Sequence, residues 1–532
     1  MVQESLLYVI SLLFAVMLLV ILGQKLKIAY PIFLVIGGLL ISMIPGTPRV
    51  GISPDLIFLI FLPPLLYEAA WYTSWPNFWK MRLPIILHGF GLVLVTSVIV
   101  AYLSEKLIPR FTLSIGLLLG GIISPPDAVA ASSVLKYFKI PKKVKTVLEG
   151  ESLVNDAASL TVFRFAVVAV ISGTFVIEKA AISFVTVTIM GIFIGLVIAQ
   201  ILFYIHKLFS TTTNIATALT LITPYIMYLT AEHFHYSGVL AVVSGGLFLS
   251  ARSKEILNHK ARLQSTHVWH TLAFILNGLI FILIGLQLPY IISELKYYTF
   301  RDGIRYGLII SVLIIVIRMI WLFATTYIPI LLSKKFRESP MRPNWKEVFL
   351  VGWAGMRGVI SLASALAIPI TLADGMEFPE RDLVLFISFM VILVTLVFQG
   401  LSLPWTIKKL NLSEDIREIP MDVQAQQIHL KLMKLSLARL TEKHSGLIES
   451  NMLVKTLKQK LENEVGFARL NIDSLKITND EKEQVKEYNS VLMDIHDFQH
   501  KKLSSLGMHT LYDEDVIQRE ESRIDLEQNK IG

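Results

Sequence analysis

The chain of 532 residues contains no cysteine, which excludes disulfides, thiolate metal sites and cysteine nucleophiles. Charge is scarce too: 17% of residues are Asp, Glu, Lys or Arg, against about 25% in soluble domains. With 54% hydrophobic residues and a mean hydropathy of +0.62, the composition argues against a soluble globular enzyme. The scarcity is uneven. Residues 1–410 hold 32 Lys+Arg and 19 Asp+Glu, whereas 411–532 hold 17 and 22, so the first part reads as membrane and the second as water-exposed. The basic excess of the first part belongs to membrane-flanking loops and does not indicate a nucleic-acid partner. The second part has no nucleotide fingerprint, no metal-spaced histidines and no low-complexity run. It reads as a helical cytoplasmic regulatory domain whose partner the sequence does not name.

What fills the first part is apolar runs long enough for a bilayer, which takes about 20 helical residues. Thirteen are expected, over 5–22, 28–45, 52–69, 83–103, 112–136, 147–171, 180–205, 213–231, 237–251, 267–288, 304–330, 346–369 and 382–404. The fold expected is an all-α polytopic membrane protein followed by a helical tail. Eighteen Lys/Arg, among them Lys142, Lys143, Lys145 and Lys254, lie in loops after odd-numbered spans, against eight, such as Arg110 and Arg305, in the opposite loops. That bias places the N-terminus outside and the C-terminus in the cytoplasm.

A charge in the bilayer core costs about 2.5–3.5 kcal/mol or more, so the few inside spans need a partner or a function. They are Glu68, Asp127, Glu151, Asp156, Arg164, Arg318 and Arg357. In the fifth span, Ser124-Pro125-Pro126-Asp127 places two prolines at mid-span, where they remove two amide donors and must break the helix. The freed backbone is tolerable only against protein or a cavity, and half-helix ends there can hold ions. In the sixth span, Glu151-Ser152-Leu-Val-Asn155-Asp156 places Ser152 with Asp156, and Glu151 with Asn155, four apart on shared faces. Asp127 and Asp156 both fall near mid-membrane. Together with Ser152 and Asn155 they offer hard oxygens for a small cation, and the same carboxylates can take a proton instead. One site that holds either ion is suited to exchange. The twelfth span is interrupted by Gly352, Gly355 and Gly358 around Arg357, which is expected either to offset facing carbonyl ends or to pair with a carboxylate. The fifth and twelfth spans are each the middle of a triplet, as an inverted repeat would give. Arg318 needs a partner, for which Glu151 is the best placed, and Arg164 is expected in a structural pair. Glu68 and His88 read as interfacial residues at span ends.

Gly150-Glu-Ser-Leu-Val-Asn-Asp156, Ser124-Pro-Pro-Asp127, Gly355-Met-Arg-Gly358, Leu62-Pro-Pro-Leu-Leu and Val397-Phe-Gln-Gly400 together resemble the monovalent cation:proton antiporter family, in its sodium/proton antiporter and sodium/hydrogen exchanger branch. The resemblance covers residues 1 to about 410. It implies two broken, crossing helices, a dimerisation part, a mobile ion-binding core and a homodimer in the plasma membrane. It also implies that Asp156 binds cation and proton, that Asn155 marks electroneutral exchange, that Asp127 and Ser152 complete the cation site, and that Glu151 and Arg318 form a core ion pair. The chain departs from the family's fifth helix in placing Pro125 and Pro126 before Asp127 rather than one proline after it. The expectation is Na+/H+ exchange without a cofactor, with Li+ or K+ as further substrates and K+/H+ exchange as the alternative. An intramembrane aspartyl protease would share the two aspartates but lacks its Gly-x-Gly-Asp signature. A channel would carry ions without proton coupling.

Overall fold

The computed structural model describes residues 2–26, 29–44, 57–138, 140–173, 177–209, 212–295, 297–332, 344–372, 375–411, 421–474 and 490–499, with a few single positions beyond. The segment 45–56, where the third span was expected to begin, lies outside the described residues, as do Lys334, Lys335 and Arg337 of the counted loops. The chain divides into two compact units, Met1–Glu414 and Asp415–Gly532. No strand occurs among the described residues beyond an isolated bridge between Thr371 and Glu377.

In the first unit the helices run in chain order as α1 (Val2–Lys25), α2 (Tyr30–Ser42), α3 (Leu62–Tyr72, entered through a π turn at Ile57–Phe61), α4 (Arg82–Leu107), α5 (Leu113–Ile123) and α6 (Ala128–Leu135). Next come α7 (Lys142–Ser172), α8 (Ile177–Phe209), α9 (Thr213–His233), α10 (Gly238–Ala251), α11 (His259–Leu286) and α12 (Phe300–Leu332). α13 (Trp345–Trp353), α14 (Val359–Leu366) and α15 (Arg381–Leu410) close the unit. Among the described residues, eight helical stretches are long and apolar enough to cross a membrane, taking α5 and α6 together across their break, against thirteen expected spans; the others are shorter apolar helices or, in α13 and α14, broken. Several run past their expected ends, because α7 and α12 carry their basic and polar first turns as helix. Apolar side chains on the outside, such as Leu7, Ile10, Phe14, Leu18 and Ile21 on α1, recur every three to four residues, so one stripe of the helix stays uncovered by protein. Such a stripe belongs against lipid.

Two large apolar cores fill the unit. One gathers α2, α5, α6 and α12 to α15; the other gathers α3, α9, α10 and the first half of α11. α7 serves both, giving Leu148, Phe163 and Ala166 to the first and Leu153, Ala157 and Leu160 to the second. The Glu151–Asp156 motif therefore lies on a helix that the two cores share.

The breaks fall where the sequence removes helix capacity. α5 ends at Ser124, whose amide still bonds to Gly120 O, because Pro125 and Pro126 have no N–H to continue the ladder. Asp127 restarts the chain as N-cap of α6, its Oδ1 accepting from the Val129 amide at 2.8 Å. α13 starts on a capping box of Asn344 and Glu347 and stops at Ala354; four non-helical residues then lead to α14. The second unit holds α16 (Met421–Lys443), α17 (Ser445–Ser450) and α18 (Met452–Ser474), with α16 packed on α18.

Candidate functional site

The two breaks meet backbone to backbone: the Asp127 amide donates to Met356 O at 2.6 Å. Four half-helix ends converge there, the C-termini of α5 and α13 and the N-termini of α6 and α14. Each carries unsatisfied backbone groups and a partial charge of about half a unit, positive at the N-termini and negative at the C-termini. One side chain from each break answers both ends of one sign. The Asp127 carboxylate caps α6 and also faces the amides of Ala130 and of Val359, the first residue of α14. It lies against the Cα of Gly358, and a Cβ there would collide with Asp127 Oδ2. Arg357, fully buried, donates from Nε to Ile123 O at 3.1 Å at the end of α5 and from Nη1 to Gly355 O after α13. Of the two expectations for Arg357, the structure places it on the carbonyl ends. Its own amide bonds to Thr395 Oγ1 at 3.0 Å.

α7 passes beside this crossing. Asn155 Nδ2 donates to Pro126 O at 3.0 Å, Ser152 Oγ accepts from the Ala128 amide at 3.4 Å, and Ser159 Oγ donates to Gly121 O at 3.0 Å, as Ser124 Oγ does at 3.1 Å. The polar groups of α7 thus bind the freed backbone on both sides of the Pro125-Pro126 break. Asn155 is fully buried, and its Oδ1 has no hydrogen-bond partner among the described residues. Asp156 is buried, close enough to Asp127 for their charges to interact, and no basic group faces it among the described residues.

The remaining charges are neutralised. Arg318, at the centre of α12, donates from both Nη atoms to the two carboxylate oxygens of Glu151, 3.1 Å for Nη2 to Oε2, with both residues 1% exposed. It also reaches the C-terminal carbonyls of α13, Gly352 O at 3.2 Å from Nε and Val351 O at 3.1 Å from Nη2. Arg164 donates from Nη2 to both carboxylate oxygens of Glu232, at 2.8 and 2.7 Å. Glu68 Oε1 stands 3.7 Å from His270 Nδ1, whose ring stacks on Tyr72. His88 is buried with Nε2 3.4 Å from Thr325 Oγ1, and is not at a solvated span end as expected. No cluster of three or more His, Asp or Glu able to hold a metal occurs among the described residues. Beside Asp127, which is held by backbone amides, the oxygens at hand are the Asp156 carboxylate, the Asn155 amide and the Ser152 hydroxyl. That set matches a monovalent cation better than a divalent one.

Thr395 and Ser159 were not singled out from sequence. Thr395 is an isolated polar residue in an apolar run, and nothing in the local pattern says which neighbour it bonds.

A family model described as the transmembrane sodium/hydrogen exchanger matches residues 10–409. This chain belongs to the sodium/hydrogen exchanger family. Among relatives of this chain, a sodium, potassium, lithium and rubidium/H+ antiporter of Bacillus subtilis is 33% identical over 71% of this chain and 57% of its own length. A Bacillus pumilus protein of the same description is 32% identical over 80% of this chain and 64% of its own length, so the match spans less than two thirds of either Bacillus relative. An Na+/H+ antiporter of Aphanothece halophytica is 32% identical over 73% of this chain and 71% of its own length. In fold, this chain is similar to the sodium proton antiporter of Methanocaldococcus jannaschii, with a TM-score of 0.59 at 18% identity over 77% of this chain and 99% of that one.

Proposed function

We propose that this exchanger is a secondary antiporter that trades one Na+ for one H+ at Asp156. The observation that carries the reading is a charge count at the crossing. Asp127, Glu151 and Asp156 supply three negative charges and Arg318 and Arg357 two positive ones; Glu151 is paired with Arg318, Asp127 is held by backbone amides, and among the described residues Asp156 is the carboxylate with neither kind of partner. One uncompensated charge in a low-dielectric site is neutralised by one proton or by one monovalent cation, and holding both would leave a positive excess. Alternate occupancy by the two ions is electroneutral 1:1 exchange. Asp156 gives the charged oxygen, the free Asn155 Oδ1 and the hydroxyl of Ser152 neutral ones, and Asp127 keeps the broken backbone in place while adding negative potential.

Supporting this reading, the relatives are named as Na+/H+ antiporters, and two of them as antiporters of potassium, lithium and rubidium as well. We take Na+ as the principal substrate, with K+ and Li+ ranked by experiment. The bias of Lys and Arg between alternate loops supports an external N-terminus and a cytoplasmic tail in the plasma membrane. Homodimerisation follows from the resemblance of the sequence, and a regulatory role for the tail from its own helical, mixed-charge composition. The test is exchange in proteoliposomes carrying a pH-reporting dye, with Na+, Li+ or K+ added to an imposed pH gradient. Wild type should collapse the gradient and Asp156→Asn should lose at least about 100-fold in rate, since the amide binds neither ion as a charge. Exchange retained by Asp156→Asn would refute the assignment.

A further inference from the structure

The first unit contains a lock that the charge count does not use. α8, α9 and α10 are bound together at glycine contacts: a Cβ on Gly195 of α8 would stand 2.6 Å from Ala241 Cα of α10, and one on Gly245 of α10 would stand 2.6 Å from Met227 Sδ of α9. α7 is bound as closely to the other side, where a Cβ on Gly89 of α4 would meet Val154 Cβ at 2.6 Å and one on Gly121 of α5 would meet the Phe163 amide at 3.1 Å. Helices packed this closely move together, because neither side can slide without a clash. Against the α8–α10 group, α7 instead presents apolar packing and, among the described residues, one ion pair.

That pair is Arg164 with Glu232. Arg164 follows Asp156 by eight residues, about 12 Å along the helix axis. Glu232 is held ready from its own side: its Oε1 accepts from the Gly238 amide at 3.1 Å, across the turn between α9 and α10. The absence of a side chain at Gly238 lets Glu232 Cγ approach to 3.0 Å of where a Cβ would stand. A carboxylate fixed by α10 and held through both its oxygens by Nη2 of a guanidinium on α7 ties the ion-site helix to the α8–α10 group at the end remote from Lys142. The side chains are 44% and 26% exposed, which keeps such a pair weak enough to open in each cycle.

We propose that Arg164 and Glu232 form the gate that closes the passage to Asp156 at this end, and that the pair separates whenever the site opens there. The inference rests on the antiport reading, because exchange requires Asp156 to face each side in turn. Since the chain has no cysteine, Arg164→Cys/Glu232→Cys can be made on the native background and bridged with a short reducible bis-methanethiosulfonate. Bridging is read by mass, independently of transport. The control is Asn214→Cys/Gln264→Cys, which replaces a hydrogen-bonded pair between α9 and α11, both on the side of the α8–α10 group.

The expected result is that bridging 164 to 232 lowers exchange at least about tenfold, that reduction restores it, and that the control bridge leaves it unchanged. Undiminished exchange in the bridged protein, or no bridge at all between 164 and 232, would overturn the proposal. Should the double cysteine variant not fold, the charge swap Arg164→Glu/Glu232→Arg decides. The swap should recover exchange that Arg164→Glu loses, and no recovery counts against the gate. Absence of exchange in unmodified wild type refutes the antiport reading itself, a different outcome from exchange that survives the bridge.

Discussion

Glu151 and Arg318 hold opposite charges where neither can stand alone, both 1% exposed and joined through two hydrogen bonds. Removing one partner leaves a buried charge uncompensated, so Glu151→Gln or Arg318→Met should each cost about 3–5 kcal/mol, visible as a lowered melting temperature in detergent. The double variant Glu151→Met/Arg318→Met should regain only part of this loss. Arg318 also satisfies Val351 O and Gly352 O, which would then have no donor. Equal melting of the double and single variants would show that the carbonyls, not the ion pair, set the stability. Asn155 belongs to the same scale. Its amide spends the nitrogen on Pro126 O and keeps the oxygen free, so Asn155→Asp would place a second unpaired charge beside Asp156. Exchange by Asn155→Asp should then respond to an imposed membrane potential, whereas wild-type exchange should not. A potential-independent variant would refute the charge count.

At the scale of elements, the crossing is a balance of helix ends. Asp127 answers the N-termini of α6 and α14, and Arg357 answers carbonyls at the ends of α5 and α13. Arg357→Leu would leave Ile123 O and Gly355 O buried without donors, at about 1–3 kcal/mol each. It should lower both the melting temperature and exchange, and Arg357→Lys should recover part, because an ammonium carries the charge but lacks the planar fork that reaches both carbonyls. Gly358→Ala should be nearly as damaging, since the new methyl would displace the carboxylate that holds two helices. Full activity in Gly358→Ala would mean that Asp127 does not need its present position.

For the whole molecule, the proposed site shared by two ions would fix the pH response of transport. If protons and cations compete for Asp156 as proposed, exchange at fixed Na+ should decline as the cation-loading side is acidified. Raising Na+ tenfold should move the midpoint of that decline about one pH unit towards acid, as mass action requires for one-for-one competition. A midpoint insensitive to Na+ would place proton and cation on separate groups.

The sequence by itself determined a great deal. Uninterrupted apolar runs force helices, since a bilayer leaves no other way to satisfy the backbone, and Pro125-Pro126 forces a break because two amide donors are missing. The rarity of charge inside spans made Asp127, Asp156, Glu151, Arg318 and Arg357 visible at once. Which partner each charge takes was decided only by tertiary structure. Arg164 lies two turns from Asp156 along the chain yet pairs with Glu232 on another helix, and Thr395 finds the Arg357 amide across 38 positions. Helix periodicity states which face a residue occupies, not which helix covers that face. The covering helix is set by how small residues let backbones approach, and that is a property of the packed whole.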